Sequence, residues 1–200
     1  SAGSANIRGL IDHQQRLTDV RILAFVNLAF PGIYGDLRAV YIAEASDLHL
    51  LNVPHVVRTL KKWPDSVVGI KIRIGRSSTA ALGAMPLHLA VAASEQAGNA
   101  PVMAHIGADM PPRLEDILDP LRKGDILTHC FTGFPNDAGQ FTNIVQGGKL
   151  LPAAVAAKKR GVMFDVGHGG GSFDFTVAEA ALAEGVRPDS ISSDIHVLDR

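Results

Sequence analysis

The chain has 200 residues, 46% of them hydrophobic and 20% charged, enough apolar material for one well-cored globular domain over residues 1–200. Its formal net charge of −1 offers no general attraction to nucleic acid or to an anionic membrane, and no apolar run reaches the roughly 18 residues needed to span a bilayer. A single cysteine, Cys130, excludes an internal disulfide and fits a reducing, cytoplasmic setting.

The chain opens on "SAGSA", a turn-forming stretch, and its first strand candidate is "VRILAFVNLAF" from Val20. The second, "VVGIKIRI" from Val67, carries two cations. Strand alternation puts Ile70, Ile72 and Ile74 on one face and Lys71 and Arg73 on the other. The isoleucine face reads as packing against helices, and the cationic face as a solvated edge, an ion-pair site or the mouth of a barrel. Pro86 opens a helix in "MPLHLAVAASEQAG" that closes on Gly98, and "APVMAHIG" from Ala100 is the third strand candidate. "PPRLEDILDPLRKG" is helical and closes on Gly124, "DILTHCF" from Asp125 follows as a strand, then "GVMFDVGHG" from Gly161 and "SISSDIH" from Ser190. Six strands alternating with helices predict a parallel α/β sheet, either doubly wound or closed as a barrel.

Lys71, His105, His129 and Asp194 each fall near the C-terminal end of a different strand candidate, the edge where parallel α/β folds build active sites. Asp165 and His168 extend the pattern. A single histidine at a strand end is more often a satisfied core or loop residue, but four chemically capable residues at one edge are hard to dismiss. Two imidazoles and a carboxylate suit zinc or a similar divalent ion without any thiolate. Cys130, adjacent to His129, should point to the opposite face, into packing.

"HGGGS" from His168 would suit an esterase oxyanion loop, but that site needs a G-x-S-x-G nucleophile and the chain has none. "GHGGG" is not a dinucleotide fingerprint either; its glycines suit close approach of backbone to a ligand. His168, and His196 two residues past Asp194, are candidates for substrate contact, against structural hydrogen bonding. His13, His49, His55 and His88 lie away from the strand ends and receive no role.

In order along nearly the whole chain, "GIKIR", "VMAHIG", "LEDILDPLRKGDILTHCFTG", "FDVGHGGGSF" and "SSDIH" resemble the amidohydrolase superfamily. The closer resemblance is to its amidohydrolase/deacetylase metallohydrolase branch, related to dihydroorotases and D-aminoacylases. It implies an α/β fold of the (β/α)8 TIM-barrel type with two divalent metal ions, zinc foremost, at the C-terminal mouth. By position, Lys71 is similar to the family's carboxylated lysine, which takes up carbon dioxide as a carbamate. His105 and His129 are similar to the metal ligands on strands five and six, and Asp194 to the strand-eight aspartate that is both ligand and proton carrier. A lysine facing a desolvated, metal-bearing interior is pushed toward the neutral amine that can add carbon dioxide. Arg73, on the same face, either holds a substrate carboxylate or forms a structural ion pair.

The family's H-x-H motif of strand one does not occur here, and "SAGSA" resembles the turn just after strand two. The barrel is therefore expected to be incomplete, with six of eight strands, the first two and the small β-domain missing. The expected function is hydrolysis of an amide or ester bond, N-acyl or O-acyl, in a small molecule. Alternatives are a dihydroorotase-like cyclic-amide hydrolase, a phosphotriesterase-like or deaminating barrel, and an inactive truncated barrel serving as a binding or assembly module. A small-molecule substrate is the expected partner, nucleic acid and membrane are not, and homo-oligomerisation is left open.

Overall fold

The computed structural model describes residues 1–33, 44–107, 113–134 and 144–195, without the side chains of Gln14 and Gln15. A five-stranded sheet is formed by β1 (Ala24–Asn27), β2 (Val67–Arg73), β3 (Val102–His105), β4 (Ile126–Thr128) and β7 (Met163–Asp165), in that spatial order. Between β4 and β7 lies a small antiparallel hairpin of β5 (Val145–Gln146) and β6 (Lys149–Leu150). The chain divides into two compact units, Ser1–Arg73 with Ser77–Met103, and Ile74–Arg76 with Ala104–Arg200.

In the first unit β1 and β2 run parallel, with Asn27 opposite Lys71. The alternation in β2 is realised as expected: Ile70 and Ile72 are fully buried, while Lys71 and Arg73 are half-buried. The helices Val53–Lys62 and Met85–Gln96 pack against β2 and against each other. Val53–Lys62 starts on an Asn52 cap, whose side chain accepts the His55 amide at 3.0 Å, and ends with Lys61 and Lys62 beside the exposed carbonyls. Both features satisfy the unpaired groups and the dipole at helix ends. Gly69 is a glycine for steric reasons, since a Cβ there would run into the Phe25 ring and lie 2.6 Å from the Pro101 carbonyl. The opening residues lie along β1, where Gly3 forms a parallel bridge to Asn27 and the Asn27 amide donates to the Ala2 carbonyl at 2.8 Å.

In the second unit β4 and β7 pair in parallel, which sets Thr128 opposite Asp165. Leu114, Ile117, Leu118, Leu127 and Phe164 are all fully buried around them. The expected sixth strand, "SISSDIH", forms a parallel bridge at one described residue, Ser190, to Asp165. Its carbonyls at Ser190, Ser192 and Ser193 still accept the amides of Val166, His168 and Gly169 at 3.0, 2.9 and 3.0 Å. Regular pairing stops because Asp194 turns into the left-handed region, at φ +48°. Asp189 ties this segment to β7 by accepting the Phe164 amide at 2.6 Å, and to the helix Pro152–Arg160 by pairing with Lys158. The hairpin was not foreseen from the sequence. It turns on Gly147 and Gly148, with φ of +56° and +75°, the positive pair that a tight two-residue hairpin favours. No helix among the described residues is long and apolar enough to cross a membrane.

Candidate active site at the ends of β3, β4 and β7

His105 is the last residue of β3, and His129 follows directly on β4. Gly167, two residues past β7, accepts from His129 Nδ1 through its carbonyl at 2.6 Å. A carbonyl can only accept, so Nδ1 carries a proton, and in a neutral ring Nε2 is then the accepting nitrogen. That Nε2 lies 2.8 Å from His105 Nδ1, with the two rings edge to face at 84°. His105 must therefore donate from Nδ1, and one proton lies between the two imidazoles. Asp194 Oδ2 is 3.7 Å from the same Nε2.

His129 and Asp194 differ in burial but share an unusual backbone. His129 is 1% exposed, whereas the Asp194 side chain is 45% exposed and can meet solvent or a ligand. Four non-glycine residues among those described have positive φ, and two of them are His129 (+64°) and Asp194 (+48°). Such conformations cost on the order of 1–3 kcal/mol each and gather at functional sites. Gly167 stands where a Cβ would collide with Thr128 Oγ1 and approach His129 Nδ1 to 2.8 Å. At Gly169 a Cβ would come within 3.2 Å of Asp194 Oδ2. The glycine loop read from the sequence as permitting close backbone approach thus admits the two site residues themselves.

The second unit accordingly brings together His105, His129 and Asp194. Lys71 belongs to the first unit, where it is half-buried and its Nζ donates to Met103 Sδ at 3.4 Å. Arg73 forks onto Glu44, Nε to Oε1 at 2.6 Å and Nη2 to Oε2 at 2.7 Å, and Glu44 is 2% exposed. This is the ion-pair arrangement weighed for Arg73. His168 is exposed, with its ring stacked on Phe173 at 5.6 Å and 22°. His196 lies outside the described residues. Cys130 is buried as expected, and burial, with the Asp165 charge adding, pushes its thiol up to about 12. Glu44 and Met103 were not foreseen as partners of Arg73 and Lys71, because contacts between segments 29 and 32 residues apart leave no local pattern in a sequence.

Among the described residues no three His, Cys, Asp or Glu side chains gather as a ready metal-holding group. The donor chemistry of the histidine pair nevertheless fits a divalent cation. Two nitrogens converge with a single proton between them, and a carbonyl fixes the outer nitrogen of one ring, as for metal-bound histidine.

No family model matches the chain. Over 100% of its length it is 37% identical to a deacetylase of Enterococcus faecalis, and over 98% it is 34% identical to deacetylases of Agrobacterium fabrum and Brucella anthropi. Among solved structures it is similar to an adenine deaminase, with a TM-score of 0.87 at 36% identity over 100% of the chain. It is also similar to a dihydroorotase, with a TM-score of 0.86 at 33% identity over 98%. The chain spans about half the length of these relatives, 51%, 46% and 46% of the deacetylases and 51% and 48% of the structures.

Proposed function

We infer that this chain, a member of the amidohydrolase superfamily that matches part of its relatives' (β/α) barrel, belongs to a metal-dependent hydrolase that removes an acyl group from nitrogen or oxygen of a small molecule. The observation that carries the reading is the contact between half-buried His105 and buried His129, with His129 Nε2 also facing Asp194. Relatives named deacetylase in three bacteria favour acyl release over the deaminase and dihydroorotase activities of the structural neighbours.

In this reading His105, His129 and Asp194, with a carbamylated Lys71 as the family resemblance implies, would hold two divalent ions, zinc foremost, which would supply an ionised water near neutral pH and polarise the acyl carbonyl. The chain's own residues do the rest. Gly167 holds the His129 ring so that only Nε2 is presented inward. Asp194, half-exposed beside it, accepts a proton from the attacking water and passes it to the leaving nitrogen or oxygen. His168, backed by Phe173, offers a polar edge to the substrate, with His196 as a second candidate. Arg73, engaged by Glu44, serves structure.

The test is a panel of N-acetyl and O-acetyl compounds, run beside cyclic amides, aminopurines and phosphotriesters, with metal content measured in the same preparation. Acid release from the acetyl compounds, lost on chelation and regained with zinc, is the expected outcome. Turnover confined to the comparison compounds, or indifferent to chelation, would overturn the reading.

A further inference from the structure

We propose that Asp165 is a positioning residue that fixes His129 and Asp194 relative to one another through the hydroxyls of Thr128, Ser190 and Ser192; this rests on the reading of those two residues as the working pair. Asp165 ends β7 and is 3% exposed. Its Oδ2 accepts from Thr128 Oγ1 and from Ser192 Oγ, both at 2.7 Å, and its Oδ1 accepts from Ser190 Oγ at 2.6 Å. Each donor stands next to the chemistry in sequence. Thr128 directly precedes His129, Ser192 precedes Asp194 by two residues, and Asp165 itself precedes Gly167, the His129 acceptor, by two.

One carboxylate thus joins the three backbone segments that carry the site. Burying a carboxylate costs free energy that an apolar side chain would not, and its hydrogen bonds only offset that cost. Hydroxyl donors to an anion are short and directional, so what they contribute is defined geometry. Geometry is needed here because the 190–195 segment has one ladder bridge and exposed residues, including Ile191 at 83% and Ile195 at 81%. With so little packing on Asp194's own segment, the serine hydroxyls that reach Asp165 add to the three backbone bonds that its carbonyls accept in locating it. An amide in place of the carboxylate has one accepting oxygen and an NH2 that donates, so it cannot receive all three hydroxyls.

The test compares Asp165→Asn, Thr128→Val, Thr128→Ser and Ser192→Ala with the parent protein by two readouts. The first is the imidazole 15N–1H spectrum of the metal-free protein, at a mildly alkaline pH that keeps the rings neutral. The parent should show His129 as the Nδ1–H tautomer, and Asp165→Asn and Thr128→Val should mix the tautomers, while Thr128→Ser, which keeps the hydroxyl, should not. The second is steady-state acyl hydrolysis, in which kcat should fall about 10- to 100-fold in Asp165→Asn, Thr128→Val and Ser192→Ala with KM little changed, as on loss of an orienting partner. Parent-like spectra and kcat in Asp165→Asn would overturn the proposal, as would Thr128→Ser being as damaging as Thr128→Val. Should Asp165→Asn fail to fold, the threonine and serine variants decide by the same criteria. A parent without hydrolase activity would defeat the proposed function, and the spectrum would still decide the positioning role.

Discussion

His129 Nε2 and His105 Nδ1 lie 2.8 Å apart and share one proton, and the direction of that hydrogen bond is set from outside the pair by the Gly167 carbonyl. Two imidazoles left to themselves could place the proton on either nitrogen. The carbonyl removes the choice, because it requires a proton on His129 Nδ1. The loop after β7 therefore determines which lone pair the site presents.

Gly167→Ala should break this control. At φ +52° an alanine is strained, and its Cβ would meet Thr128 Oγ1 and His129 Nδ1. We expect a loss of roughly 1–3 kcal/mol of stability, the usual range for a strained backbone position, together with a lower kcat. Thermal unfolding and steady-state assays check both, whereas unchanged stability and turnover would show that the loop relaxes freely.

The sequence made the ends of the strands legible because their chemistry is local. His105, His129 and Asp165 each follow a short apolar run, and strand alternation correctly separated buried Ile70 and Ile72 from half-buried Lys71 and Arg73. What it could not convey was partnership across the chain. Arg73 and Glu44 are 29 residues apart, and Thr128 and Asp165 are 37 apart, so neither pair has a spacing that a period of two or 3.6 would reveal. The final segment, "SISSDIH", has strand-like alternation, yet among its described residues Ser190 alone forms a ladder bridge. The positive φ of Asp194, which ends the regular pairing, has no sequence signature beyond aspartate's tolerance of that region.

Lys71 discriminates between a carbamate ligand and an ordinary half-buried cation. Under the proposed function, Lys71→Ala should lower metal content and abolish turnover, with partial recovery when a short-chain carboxylic acid is added to occupy the vacated space. Its ammonium-to-Met103 contact at 3.4 Å is weak, so that contact alone predicts little loss of stability. Full activity and metal content in the alanine variant would remove Lys71 from the site.

Cys130 should be silent chemically. With its thiol pushed up to about 12 by burial, the folded protein should resist a thiol-directed reagent at neutral pH and label fully in denaturant. The linkage has a definite sign. A thiol whose folded value is raised adds stability that is fully present below the unfolded value and is lost as pH rises from about 9 toward 12. The stability advantage of the parent over Cys130→Ala should therefore shrink over that window, and an advantage that grows with pH would contradict a buried neutral thiol.

Asp194 offers the sharpest separation of chemistry from structure. Its backbone adopts φ +48°, and asparagine shares aspartate's tolerance of that region, so Asp194→Asn should leave the local fold intact. Asparagine also caps helices about as well as aspartate, so a purely structural role would survive the change. What the amide cannot do is accept a proton. If Asp194 carries the proton between water and leaving group, kcat should fall on the order of 10²-fold or more, the scale for a positioned acid or base. The 3.7 Å approach to His129 Nε2 and the 45% exposure of its side chain place this carboxylate between the buried histidine and the solvent side, as that role requires. Turnover, thermal stability and metal content measured together decide the matter. A variant with parental stability, parental metal content and parental kcat would show that Asp194 moves no proton.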